Sequence, residues 1–214
     1  MSRNCHKAAY HGVFLNRLRV EYIYPQIIEG FGIQGGLVPE DVENVLKTDH
    51  DIQAVLVVSP TYDGIVSDVE KIVEICHGCG IPLIVDEAHG AHFRYHKGFP
   101  VSALDLGADV VIQSLHKTLP AFTQTSILHV KGDLVERLEH YLQIFQSSSP
   151  SYLFMAGMER CLKFMEEKTE MTGGRSRMDQ FYHRLVELRK ELGAMKRLRL
   201  LEEDSKGKNG VYDL

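Results

Sequence analysis

Five short apolar runs, spaced through the first 130 residues, constrain this chain more than any other feature. They are Val20–Tyr24, Ala54–Val58, Pro82–Asp86, Asp109–Gln113 and Ser126–Val130. Several are rich in Val and Ile and show little alternation of apolar with polar residues. Strands covered on both faces have that pattern, as in a parallel or mixed sheet. Between the second and third runs, Val69, Ile72, Val73 and Cys76 recur at the i, i+3, i+4, i+7 spacing of an amphipathic helix over Ser67–Cys79. Ser67, with Glu70 three residues on, suits a capping box, and Gly78 and Gly80 suit its end. Strand, helix, strand in succession predicts an α/β fold.

The pattern changes after residue 131. Asp133–Phe145, Tyr152–Lys168 and Ser176–Arg199 carry helical periodicity, the last with Phe181, Leu185, Leu188 and Leu192 along one stripe. Ser147-Ser148-Ser149-Pro150-Ser151 interrupts the first two. Residues 202–209 are polar and read as a loop, and Val211–Leu214 as the start of a strand. The chain divides into an α/β part, 1–150, and a helical segment, 151–214.

Several function classes are disfavoured at this stage. No apolar stretch approaches the eighteen residues of a membrane helix, and Met1–Lys7 has no apolar core of a signal peptide. A net charge of −5 argues against nucleic acid as the main partner. Four cysteines in 214 residues are too few for a disulfide scaffold, so a reducing cytoplasm is the expected location. Cys76-His77-Gly78-Cys79 has C-x-x-C spacing but no second ligand pair, and Cys76 falls on the apolar stripe, so packing is its expected role. Lys196–Arg199 reads as a basic helix end rather than a nucleic-acid patch.

The chemistry concentrates where three of these strands end, the edge at which open α/β sheets collect ligands. One strand runs into Ser59-Pro60-Thr61-Tyr62-Asp63-Gly64. The next ends in Asp86-Glu87-Ala88-His89-Gly90-Ala91-His92, and another runs into Gln113-Ser114-Leu115-His116-Lys117-Thr118. Singly, each residue has an ordinary explanation: an aspartate caps a helix, a lysine is a solvated charge. Together they bring an acid, imidazoles, hydroxyls and an amine to one rim. A lysine amine there suits Schiff-base chemistry with an aldehyde cofactor. Pyridoxal phosphate also needs an acid facing its ring nitrogen, a place Asp86 suits, with Ser114 and His116 available to its phosphate. A metal site built from His89, His92 and His96, as in a hydrolase, is a lesser reading.

These motifs resemble the Orn/Lys/Arg decarboxylases of the aspartate-aminotransferase fold. Arg3-Asn4-Cys5-His6-Lys7 and Gln146-Ser147-Ser148-Ser149-Pro150-Ser151-Tyr152 extend the resemblance over nearly the whole chain. It implies the large domain of a fold-type-I pyridoxal phosphate enzyme, truncated at both ends. An upstream hydroxyl- and glycine-rich phosphate loop and a small C-terminal domain would be missing. It implies that Lys117 forms the Schiff base, Asp86 pairs with the ring nitrogen, Ala88 packs under the ring and His6 stacks on its other face. Ser114 and His116 would bind phosphate oxygens, with His89 near the ring's phenolic oxygen. Ser148 and Ser149 would reach the phosphate of a neighbouring subunit in a homodimer or higher homo-oligomer. The implied activity is decarboxylation of arginine, lysine or ornithine, with no metal. A catalytically silent or partner-dependent remnant of such an enzyme is the rival expectation, and a loosely held His6 goes with it.

Overall fold

The computed structural model describes residues 1–168 and 176–201 and the backbone of 211–212. Its centre is a four-stranded sheet of β3 (Val55–Val58), β5 (Leu83–Asp86), β6 (Val110–Ser114) and β7 (Ser126–Val130), in that order. The first three are parallel and β7 is antiparallel to β6, so the sheet is mixed. Four of the five apolar runs are these four strands. The two-residue pairs β1 (Ile27–Ile28) with β2 (Ile33–Gln34), and β4 (Ile65–Val66) with β8 (Val211–Tyr212), are antiparallel additions. The 202–209 loop expectation lies outside the described residues.

The first apolar run is not a strand. Of Val20–Tyr24 only Ile23 is buried, and it makes a single parallel bridge to Ser2. Its amide and carbonyl are taken by Met1 O and Arg3 N at 3.0 and 2.8 Å, and Pro25 then prevents a continuing ladder. The same bonds anchor the first residues. Ser2 is fully buried and its amide donates to Leu56 O at 2.8 Å, so the backbone leading to His6 is tied to β3, contrary to the expected loose start.

Helix α1 (Lys7–Asn16) follows, then α2 (Pro39–Thr48) and α3 (Val69–Gly78). In α2, Pro39 at the first turn, Glu40 and Asp41 near the positive end and Lys47 near the negative end all favour the helix. Val42 and Leu46, one turn apart, are its buried residues. In α3 the stripe Val69, Ile72, Val73, Cys76 is buried as its spacing requires. The cap differs from expectation: Asp68, not Ser67, accepts from the Lys71 amide, at 3.2 Å. The Ser67 hydroxyl instead accepts from the Leu37 amide, 2.9 Å away, and so stitches the segment before α2 to the start of α3.

One core lies between α2, α3 and the sheet, built from Val42, Leu46, Val57, Ile72, Leu83, Val85 and Val111 among others. Each such fully buried branched side chain contributes about 1.5–3 kcal/mol by leaving water. A second core joins Phe93, Phe99, Leu115 and Leu119 to Cys161 and Met165 of α6 (Tyr152–Glu166) and Met178 of α7 (Arg177–Gly193). Helices α6 and α7 therefore pack on the α/β part rather than stand apart from it. Helix α7 begins with the capping box of Ser176 and Asp179 and ends earlier than its periodicity suggests. Its inward face is Met178, Tyr182 and Leu185, while Phe181 and Leu188 are 53% and 48% exposed. The Tyr182 ring stacks on His96 at 4.0 Å, which turns that face inward. Past the helix, the Arg199 guanidinium lies 4.8 Å from the Phe31 ring, a cation–π contact rather than a helix-end interaction.

All four cysteines are free, and only Cys79 is exposed. Burial pushes the Cys5 and Cys76 thiols up to about 12, and raises Cys161 as well. A thiol at that value has a thiolate fraction on the order of 10⁻⁴ at pH 8. Iodoacetamide at pH 8 is therefore expected to alkylate Cys79 first, with the other three reacting only on unfolding. Mass mapping of the native protein checks this, and early label on Cys5 or Cys76 would contradict the packing described.

Candidate active site

The parallel register sets the geometry of the rim. Val58 of β3 lies opposite Asp86 of β5, and Asp86 opposite Ile112 of β6. The three loaded strand ends thus leave the sheet side by side, about 4.8 Å apart per step. The first is spent on its own turn: Ser59 Oγ accepts from the Ser67 amide at 3.0 Å, and Thr61 Oγ1 from the Ile65 amide at 3.1 Å.

The other two meet. Lys117 sits in the one-turn helix α4 (Leu115–Thr118) that follows β6 directly. Its Nζ lies 3.0 Å from His89 Nε2, where an ammonium can donate to a neutral ring nitrogen. The Tyr62 ring stands edge-on to His89 at 5.6 Å, so all three strand ends reach this point. Asp86 is half-buried at the end of β5, and the Ala88 amide donates to its Oδ1 at 3.1 Å. Among the described residues no cation pairs with it, which leaves its carboxylate free to accept from a further donor. Ala88 is buried beside it. The buried Cys5 thiol, in the Arg3–Lys7 segment, lies within electrostatic reach of Asp86. His6 is exposed there and caps α1, its Nδ1 accepting from the Ala8 amide at 3.2 Å.

Ser114 is buried at the end of β6. His116 Nδ1 lies 2.9 Å from Thr125 O, a carbonyl that can only accept, so Nδ1 carries the hydrogen. Its Nε2 can then donate to an anion only as imidazolium. Ser148 and Ser149 are on the exposed connection between α5 (Leu134–Phe145) and α6, with local bonds such as the Ser149 amide to Ser147 Oγ at 3.2 Å. Among the described residues nothing joins them to Lys117.

Glu87 is the residue the motif reading passed over. It is 1% exposed, and its carboxylate accepts from Ser102 Oγ, the Ala103 amide and Gln113 Nε2, at 2.7, 2.7 and 2.5 Å. Burial raises its pKa, and the three donors pull it part of the way back. Period-two alternation from Asp86 was the available signal, because it sends Glu87 to the other face. His92 and His96 are packed against Phe93, Phe99 and Tyr182. Among the described residues no group of three His, Cys, Asp or Glu could hold a metal ion. A cavity of about 620 Å³ lined by Arg94, Gln113, His129 and Glu166 touches neither Asp86 nor Lys117.

A family model described as Orn/Lys/Arg decarboxylase, major domain, matches residues 1–206. The chain belongs to the Orn/Lys/Arg decarboxylase family. It is 33% identical to an arginine decarboxylase of Halalkalibacterium halodurans over 213 residues, 99% of this chain and 42% of that protein. It is 29% identical to the lysine decarboxylase of Hafnia alvei, over 90% of this chain and 27% of that one. The family chain thus spans less than half the length of these relatives. The Francisella novicida lysine decarboxylase LdcF superposes with a TM-score of 0.72 at 25% identity, covering 94% of this chain and 29% of that one. Mouse CSAD superposes with a TM-score of 0.66 at 20% identity, over 94% and 46% of the two chains. The fold of this decarboxylase-family chain is that of the large domain of fold-type-I pyridoxal phosphate enzymes. A Methanothermobacter thermautotrophicus relative, 30% identical over 63% of this chain and 36% of its own length, is named as pyridoxal phosphate-dependent.

Proposed function

We propose that the protein binds pyridoxal phosphate through Lys117 and decarboxylates arginine, lysine or ornithine. The observation that supports this most is the meeting of Lys117, just past β6, with His89 at 3.0 Å, at the rim where β5 ends in a half-buried Asp86 that pairs with no cation among the described residues. That donor set fits the group: an amine for its aldehyde, and a carboxylate with spare acceptor capacity for a protonated ring nitrogen. Bound there, pyridoxal phosphate supplies an electron sink for the pair left behind when carbon dioxide departs.

The chain's own residues do the rest. His89 accepts a hydrogen bond from Lys117 and so fixes where its amine meets an aldehyde. Asp86 holds the proton on the ring nitrogen by its charge. Ala88, buried beside Asp86, would offer the group a small apolar surface, and the exposed His6 would stack against its ring. Ser114 and, as imidazolium, His116 hold the phosphate. Ser148 and Ser149 serve the phosphate site of a neighbouring subunit. A homo-oligomer of the 1–150 α/β part with its 151–214 helical extension is supported by the exposed Phe14, Leu15, Phe145 and Tyr152. A cytoplasmic site accords with the free thiols, and no described helix is long and apolar enough to cross a membrane.

The test is incubation with pyridoxal phosphate and each basic amino acid, with carbon dioxide and amine measured together. Equimolar release from one of the three is expected. Consumption of all three without carbon dioxide, or of none by cofactor-loaded protein, would contradict the proposal.

A further inference from the structure

The β5–β6 ladder ends at the pair Asp86 and Ile112. Every site residue on these two strands past that pair depends on something else for its spacing. Among the described residues, two side-chain links cross the gap. One is His89 with Lys117, at 3.0 Å. The other is Glu87 with Gln113, at 2.5 Å, one residue past the ladder on each strand. Both members of this second link are buried, at 1% and 5% exposure. Gln113 is itself oriented, because its Oε1 lies 3.2 Å from His129 Nε2. The turn to His89 is moulded on the Glu87 side chain: a Cβ at Gly90 would come 2.6 Å from Glu87 Cγ, and the Gly90 amide donates to Glu87 O at 2.9 Å.

We infer that Glu87 is a positioning residue, a buried clamp on Gln113 that fixes the spacing at which His89 meets Lys117. The inference rests on the proposed role of Lys117, since it is this pair that the clamp sets. Glu87 faces away from Asp86 and acts only through other groups. A buried carboxylate costs more than an apolar side chain of equal size, so simple filling of space does not account for it. Its acceptors match the donors that surround it, and it is directional where an apolar contact is not.

The experiment compares variants by two readouts on the whole chain. One is the ¹⁵N resonance of His89 Nε2 in cofactor-free protein. The other is the rate at which pyridoxal phosphate attaches to Lys117. Gln113→Met cuts the clamp at nearly constant volume, and Glu87→Gln replaces its acceptor by a donor. Each is expected to shift the His89 resonance and to slow attachment about tenfold or more, since small misplacements of a reacting group cost that much. Glu87→Gln with Gln113→Glu exchanges donor for acceptor across the same gap, and is expected to restore both readouts. Ser102→Ala removes the other side-chain donor to the Glu87 oxygen that Gln113 reaches but leaves the Gln113 bond in place, and is expected to lower the melting temperature while leaving both readouts within twofold. A Gln113→Met protein that melts earlier but keeps the His89 resonance and the attachment rate would overturn the inference. Equal slowing by Ser102→Ala, or failure of the double exchange to restore a folded Glu87→Gln, would also overturn it. If one single variant does not fold, the other and the double exchange still decide. Wild-type protein without attachment at Lys117 would refute the proposed function instead, and the resonance would still report the clamp.

Discussion

Lys117→Ala is expected to leave a folded protein that no longer holds pyridoxal phosphate covalently and does not turn over basic amino acids. The Lys117 side chain is exposed and belongs to neither core, so its removal costs little stability. What is lost is the amine that His89 orients. A single positioned proton-transfer group contributes about 10²–10⁴-fold to a rate, and loss of the covalent handle comes on top of that. Activity should therefore fall by more than about 10³-fold, with the circular dichroism and melting temperature near those of the wild type. Absorbance of the dialysed protein and a carbon dioxide assay make the comparison. A variant with turnover within tenfold of the wild type would remove Lys117 from the chemistry.

Asp86→Asn is the second large effect, and it should divide differently between binding and rate. Asparagine keeps the shape, and its Oδ1 can still accept from the Ala88 amide that lies 3.1 Å from the native carboxylate. The turn should therefore survive. The negative charge does not, and with it goes the means of holding a proton on the cofactor ring. That charge matters most when electrons flow into the ring, so the loss falls on the transition state more than on the ground state. Turnover is expected to drop about 10²–10³-fold, the scale of one lost electrostatic contact, while cofactor affinity changes several-fold at most. Titration of the apo variant with pyridoxal phosphate and steady-state rates separate the two. Comparable losses in affinity and in rate would assign Asp86 to binding alone.

How much of this was legible in the sequence follows the range of the forces involved. Val- and Ile-rich runs favour strands, so the four central strands and the α3 stripe could be read directly; the expected cover on both faces is met best by β6, while β3 and β5 fully bury alternate residues and β7 only half-buries its own. The rim followed from them, since parallel strands bring their ends to one edge. Val20–Tyr24 looked no different, yet its backbone partners are Met1 and Arg3, a pairing that local composition does not encode. Helix α2 was readable, through Pro39, the acidic first turn and Val42 with Leu46, but its low apolar content hid it. Helix α7 was found, but of its stripe only part turns inward: Leu185 packs into the second core while Phe181 and Leu188 are exposed. Its rotation is set by Tyr182 on His96, residues 86 positions apart, and not by the leucine stripe. Glu87 was hidden for the same reason: three donors from distant segments make a charged residue a core residue. His116 was placed in the site by its motif, whereas the bond to Thr125 that decides which nitrogen can donate comes only with the fold.

The central claim is that Lys117 is the reactive amine of a pyridoxal phosphate site. Borohydride reduction of the cofactor-loaded protein, followed by proteolysis and peptide mapping, tests it most directly, because it reports the attachment point whatever the turnover. One modified peptide is expected, carrying the pyridoxyl group on Lys117. A pyridoxyl group on any other lysine, with Lys117 unmodified, would contradict it.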